Sequence, residues 1–263
     1  MRILALVVDT PSIQNPQGGI QNVQLTPYVS DIGGTGDLKM TVQSCLDRGV
    51  SQGLIATCEN EPTASLPQEI TISSAITSTE GFFGSPERTG SPQSGAITVP
   101  LNIPENLFSN FSNQVTHNGL SYLIIVELQA LNNPTQKIKS FRRVLLTTQV
   151  PNLNPVINEI KINGTTLTGK PFLGSHELSF DAVNSPDQYT FLNSIGEFTP
   201  LTETYETSWF VSDGTIISSR SNLDQTVTWD FLEMPSLGFR RVVVVGVLRD
   251  GRGGIAVKVK TLQ

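Results

Sequence analysis

The sequence predicts an all-β chain of two tandem antiparallel β-sandwich domains, and three observations carry that prediction. Runs rich in Val, Ile, Thr and Phe recur along the whole length, separated by Gly, Pro, Asn and Asp. Charged residues are only 15% of the chain, against roughly 25% in ordinary globular proteins, so the Lys- and Glu-rich faces of long surface helices are missing. Finally, 263 residues fit two sandwiches, each large enough to bury a core.

In chain order, the opening run Met1-Arg2-Ile3-Leu4-Ala5-Leu6-Val7-Val8 starts like a signal peptide, but Asp9 ends it too early. It reads instead as a first strand, residues 2–9, buried on both faces. Further strands are expected at 22–30, 38–44, 69–73, 95–103, 120–131 and 140–150. Turns are expected at 33–37 and in a long exposed loop at 85–95, and one helical turn within 104–111. Val150-Pro151-Asn152-Leu153-Asn154-Pro155 divides the chain into domains 1–150 and 151–263, because its prolines resist a sheet ladder and favour a short, semi-rigid connector. Beyond it come strands at 156–162, 175–182, 205–212, 226–230, 240–249 and 255–261. Asn163-Gly164 is a strong hairpin turn, with 165–168 pairing back, and Asp250-Gly251-Arg252-Gly253-Gly254 joins the last two strands. Trp209 stands where a sandwich places a central core aromatic. The alternative for it is an exposed platform for a sugar ring.

Cys45 and Cys58, the only cysteines, are close enough in sequence to close a small loop, a gain of about 3 kcal/mol if oxidised. Two buried free thiols, or half of a metal site, remain open as other readings. A disulfide implies an oxidising compartment.

These features together resemble predicted bacterial lipoproteins with immunoglobulin-like modules. The resemblance rests on Arg2-Ile3-Leu4-Ala5-Leu6, on Pro16-Gln17-Gly18-Gly19, on the cysteine pair and on the connector ending at Asn154-Pro155. The closing half, with Ser208-Trp209-Phe210 and Leu248-Arg249-Asp250-Gly251, is similar to PKD-like and cadherin-like repeats. The resemblance implies an Ig-like sandwich for 1–150 and a PKD-like or cadherin-like sandwich for 151–263. It also implies export to the periplasm, outer membrane or cell surface of a Gram-negative bacterium. A lipid anchor, if there is one, lies outside this sequence, since no cysteine stands near Met1.

The chemistry-bearing residues are few. Each half carries a net charge of −3 (8 Lys+Arg against 11 Asp+Glu in 1–150, 9 against 12 in 151–263), which speaks against nucleic acid. The local basic group Lys137, Lys139, Arg142, Arg143 alternates with Ile138 and Phe141 and reads as a solvated strand face. His117 and His176 belong to no Ser–His–acid or His-Glu-x-x-His pattern, so no enzyme is expected. Calcium is the one cofactor considered, with Asp213 and Asp250 the weak candidates among Asp181, Asp187, Asp213 and Asp250. Both, however, precede glycine in tight turns that call for Asp on backbone grounds alone. The expected role is a non-enzymatic structural or adhesive module that binds an envelope or surface protein. The surfaces offered are the loop 79–95 and the strand 138–145. A carbohydrate-binding module and a subunit of a larger envelope or filament assembly are the alternatives.

Overall fold

Alternating apolar residues along 22–30 and 38–44 do form strands that bury every second side chain, Val23, Leu25 and Val29 in one and Leu38, Met40 and Val42 in the other. The computed structural model describes residues 1–30, 37–47, 49, 55–72, 82–83, 96–166, 173–182, 186–231 and 242–262. All but Asp37 of the expected turn at 33–37, the loop 85–95 and most of the proposed surface 79–95 lie outside the described residues.

Before the connector the strands are β1 (Arg2–Val8), β2 (Ser12–Gln14), β3 (Gly19–Ser30), β4 (Leu38–Leu46), β5 (Gln68–Ile72), β6 (Phe82–Phe83), β7 (Ile97–Ile103), β8 (Leu120–Ala130) and β9 (Asn133–Thr147). One sheet gathers β1, β6 and β7 around β3, and the other runs β2-β9-β8-β4-β5. Their ladders are antiparallel apart from the short β2–β9 pair. The two sheets face each other across a core that includes Leu25, Val99, Leu101, Met40, Ile124 and Val126. A short 3₁₀ turn, Leu107–Asn110, falls within the predicted helical turn. The six-residue helix α1 (Asn113–Asn118), capped by the Ser112 side chain, was not expected, and it carries His117.

After the connector come β10 (Ile157–Ile162), β11 (Gly174–Ala182), β12 (Gln188–Leu192), β13 (Phe198–Thr202), β14 (Glu206–Val211), β15 (Thr215–Ile216), β16 (Arg220–Asn222), β17 (Val227–Phe231), β18 (Val242–Arg249) and β19 (Ile255–Leu262). They form the sheets β10-β11-β17-β15 and β16-β14-β18-β19, plus the hairpin β12-β13. Trp209 is 2% exposed and stacks on Phe180 with ring centroids 4.2 Å apart, so it is a core residue and not a sugar platform. Gly246 makes room for that stack, since a Cβ there would stand 2.3 Å from Phe180 Cζ. Asn163 and Gly164 both adopt positive φ, as a tight hairpin turn requires. The expected return strand shrinks to a single bridge from Thr165 to Ile162, because β10 takes β11 as its ladder partner; residues 167–168 lie outside the described residues.

Among the described residues, no sheet takes strands from both sides of the connector. The two sides nevertheless pack directly. β18 is buried on both faces: Val242 and Val244 enter its own core, whereas Val243, Val245 and Val247 meet Leu4 and Ala5 of β1. β1 is buried on both faces for the same reason, with Leu6 and Val8 turned to the first core. The connector is held from both sides. Asn154 donates to the Val8 carbonyl at 2.7 Å and accepts from the Ile255 amide at 2.9 Å. The Asn152 backbone N–H donates to the Ser12 hydroxyl.

Candidate functional site

Cys45 and Cys58 form a disulfide, with Cα atoms 5.6 Å apart. The bridge ties the segment around Ala56 over the outer face of β8, where Leu123 and Ile125 would otherwise meet water. Tyr122 helps on the inner side, its hydroxyl accepting from the Asn102 amide at 2.9 Å and donating to the Thr63 carbonyl at 2.9 Å. Burial raises its pKa, against the lowering effect of hydrogen bonding from the Thr63 side chain and the Asn102 backbone. The disulfide is consistent with folding outside the reducing cytoplasm.

The calcium candidates do not meet. Asp213 follows β14 and Asp250 follows β18; these strands are antiparallel, with Glu206 opposite Arg249 and Val211 opposite Val244. The two carboxylates therefore sit at opposite ends of one sheet, on the order of 20 Å apart at the strand rise. Asp213 accepts from the Gly214 amide, and Asp250, 1% exposed, accepts from the Arg252 and Gly254 amides and from the Asn152 side chain at 2.7–2.8 Å. Turn and connector geometry thus occupies the Asp250 carboxylate. Among the described residues no three His, Cys, Asp or Glu side chains group as a cation site.

The histidines serve contacts between elements. His117 Nε2 lies 3.0 Å from Thr190 Oγ1 and its ring meets Phe198 edge-on, so it joins α1 to the β12–β13 hairpin. His176 packs on Trp229, with Nδ1 3.1 Å from the Asn163 amide nitrogen. The hairpin exposes Phe191 and Phe198, but register puts them on opposite faces, Phe191 with Thr199 and Phe198 with Leu192. Tyr189 shares a face with Phe191, but the Arg252 guanidinium stands 4.5 Å above the Tyr189 ring. No flat pair of aromatic rings is left for a sugar there.

The basic group on β9 divides in a way that sequence reading missed. Strand alternation sends Lys137, Lys139, Phe141 and Arg143 outward and turns Ile138, Ser140, Arg142 and Val144 inward. Outside, Lys137 pairs with Glu127 at 3.1 Å and Arg143 with Asp47 at 2.7 Å, and the Arg143 guanidinium lies over the Phe141 ring. From Asn133 to Val144 no strand among the described residues pairs with the second edge of β9, since β2 joins only at Leu145–Thr147.

Arg142 enters the junction between the two sides of the chain. A cavity of about 440 Å³ lies between Leu4 and Leu6 of β1, Ser140 and Arg142 of β9, Ser208 and Phe210 of β14, and Arg220, Arg249 and Ile255. A neighbouring space of about 330 Å³ shares Phe141 and Arg142 and adds Arg143 and Arg252. Five of the chain's ten arginines line these two spaces. Burial lowers the Arg142 pKa to about 10; the Asp250 charge opposes that shift and the Arg249 charge adds to it. Arg249 is lowered too, by burial first and then by Arg220, and its Nη1 donates to the Ser208 hydroxyl at 2.8 Å. Arg252 pairs with the buried Glu203 at 3.2 Å. Burial still raises the Glu203 carboxyl, with Asp250 adding to the rise, and the Asp187 amide and Arg252 offset it only in part. Arg142 stands apart: its Nε and Nη2 are enclosed and have no hydrogen-bond partner among the described residues.

No protein-family model matches the chain and no curated protein matches it by sequence. Among solved structures it is similar to the extracellular cadherin domains 1–4 of protocadherin gamma B7, at 12% identity and a TM-score of 0.19. That match covers 100% of this chain and 65% of the protocadherin chain, so this chain spans less than two thirds of it, and a score so low carries no argument about fold or function.

Proposed function

We propose that the chain is a non-catalytic, exported module of two docked sandwiches, Ig-like over 1–150 and PKD-like or cadherin-like over 151–263. In this reading it acts at the cell envelope as a structural or adhesive element and binds a protein partner along β9. The observation that carries the reading is the edge of β9 from Asn133 to Val144, which no strand among the described residues pairs and whose outward face bears Lys137, Lys139 and Phe141. A free edge presents unpaired N–H and C=O groups to an extended segment, and the alternating side chains beside it select what that segment carries. Two lysines followed by an aromatic ring favour a segment with acidic residues beside an apolar one. Pro134, near the start of β9, is in keeping with an edge, because proline is excluded from the interior of a sheet.

The test is photo-crosslinking from position 139 on β9 and, as a control, from position 69 on β5, the opposite edge of the same sheet, in exported protein from the source organism. A partner captured from 139 and not from 69, and lost on Lys137→Glu with Lys139→Glu, supports the reading. Equal capture from both edges, or capture indifferent to the charge reversals, overturns it.

A further inference from the structure

We propose that the protein segment bound along β9 lies as an extended strand in the cleft between β9 and the side of the chain beyond the connector, and that it carries Asp or Glu at the alternate positions facing that side. The inference rests on the β9 reading and adds to it a second wall and a chemistry for the segment.

The Leu145 N–H donates to the Pro11 carbonyl at 2.9 Å, so the backbone groups of Leu145 face away from β8. The β8–β9 register is unbroken from Lys137 to Leu146, and alternation turns the N–H and C=O of Arg143, Phe141, Lys139 and Lys137 the same way. Among the described residues none of these four has a backbone partner on that edge. The two spaces at the junction run along it. Pro11, Arg143 and Leu145 line the smaller, Ser140 lines the larger, and Phe141 and Arg142 line both. Other edges suit a partner less: β5 is only five residues long, and Pro200 interrupts β13.

The wall opposite β9 is built by Ser208 and Phe210 of β14, Arg220 of β16, Arg249 of β18 and the turn around Arg252. No Asp or Glu lines either space, although acidic residues outnumber basic ones by 23 to 17 in the chain. Arg143 and Arg252 are engaged by Asp47 and Glu203. Arg220 and Arg249 form no ion pair among the described residues. Their charges oppose each other, and Glu206, across the ladder from Arg249, offsets that only in part. Ser140 and Arg142, the inward residues of β9, border the same space as these two arginines. The inward side chains of a strand added to β9 are therefore the ones that meet Arg220 and Arg249. Pairing with the β9 backbone holds any extended sequence, and the arginines select one with carboxylates on that face.

The experiment selects a displayed library of random octapeptides on the full chain. Parallel selections use Arg220→Glu, Arg249→Gln, Lys137→Glu with Lys139→Glu, and Lys161→Gln on β10 as the control. The expected result is that wild type and Lys161→Gln enrich peptides with Asp or Glu at every second position. A synthetic copy of the most enriched peptide, followed by fluorescence anisotropy, then binds Arg220→Glu about tenfold more weakly than wild type. Methylating one alternate set of its amide nitrogens abolishes binding and methylating the other set does not, because only one set faces β9. Should Arg249→Gln not fold, Arg220→Glu decides, since Arg220 is exposed. Enrichment lost with the two lysine reversals and kept with Arg220→Glu overturns the cleft and leaves the β9 edge reading standing. No enrichment, or acidic enrichment without alternation, overturns the cleft too, and crosslinking from position 139 then decides the edge reading by itself. Equal effects of the two methylated sets, or equal displacement of the peptide by dextran sulfate at matched charge, would mark a surface that reads charge alone and also overturn the proposal.

Discussion

Arg142 costs the chain stability, because its guanidinium is cationic, enclosed and, among the described residues, left without a partner at Nε and Nη2. Replacing such a group by an apolar side chain of similar volume is often stabilising, by roughly 1–4 kcal/mol when charges buried in this way are removed. Arg142→Met is therefore expected to raise the unfolding free energy by about 1–2 kcal/mol in ligand-free buffer, read from the urea midpoint at unchanged slope. A loss of stability on that substitution would mean that Arg142 already has a compensating contact. Sequence did not single Arg142 out. Beside Arg143 in a basic run it looked like one more solvated charge, and only the pairing of β9 shows that alternate residues of that run face inward.

At the scale of single elements, legibility followed burial. Strands β1, β4, β8 and β18 were readable because they bury one or both faces, which writes apolar runs or strict alternation into the chain. The β12–β13 hairpin left no such mark. β13 is exposed along its whole length, and β12 is fastened to α1 by Asn118, whose side-chain amide donates to and accepts from the Leu192 backbone at 2.8 Å. The cysteine pair was legible as a small closed loop, but what the loop covers was not, since Leu123 and Ile125 look like any inward-facing strand residues until β8 proves buried on both sides. Opening the bridge should therefore do more than free a loop. With Cys45→Ala and Cys58→Ala together, the segment around Ala56 loses its anchor. The expected cost is about 3 kcal/mol from loop entropy, and hydrogen exchange should rise selectively at the Cys45 and Leu123 amides while β18 and β19 keep their protection. Uniform loss of protection across the chain would show instead that the bridge supports the whole fold.

On the scale of the whole molecule, the connector divides the sheets but not the packing. Leu4 and Ala5 on one side and Val243, Val245 and Val247 on the other form one apolar cluster, and Asn154 hydrogen-bonds to both. Removing that cluster's contacts would expose the outer face of β18, with Val243, Val245 and Val247, to water. The two sides are accordingly expected to unfold together, in one cooperative transition, and to scatter at small angles as one body with a narrow distance distribution. Val245→Asn tests the coupling, because the amide is placed against Leu4 and Ala5 with no partner waiting, a penalty of about 1–3 kcal/mol borne at the junction. The expected outcome is a calorimetric trace that splits into two transitions and a distance distribution that broadens, with far-UV circular dichroism unchanged. A single transition merely shifted to lower temperature would place the cost within the β14–β18–β19 sheet, and would make the junction subordinate to the two cores on either side of it.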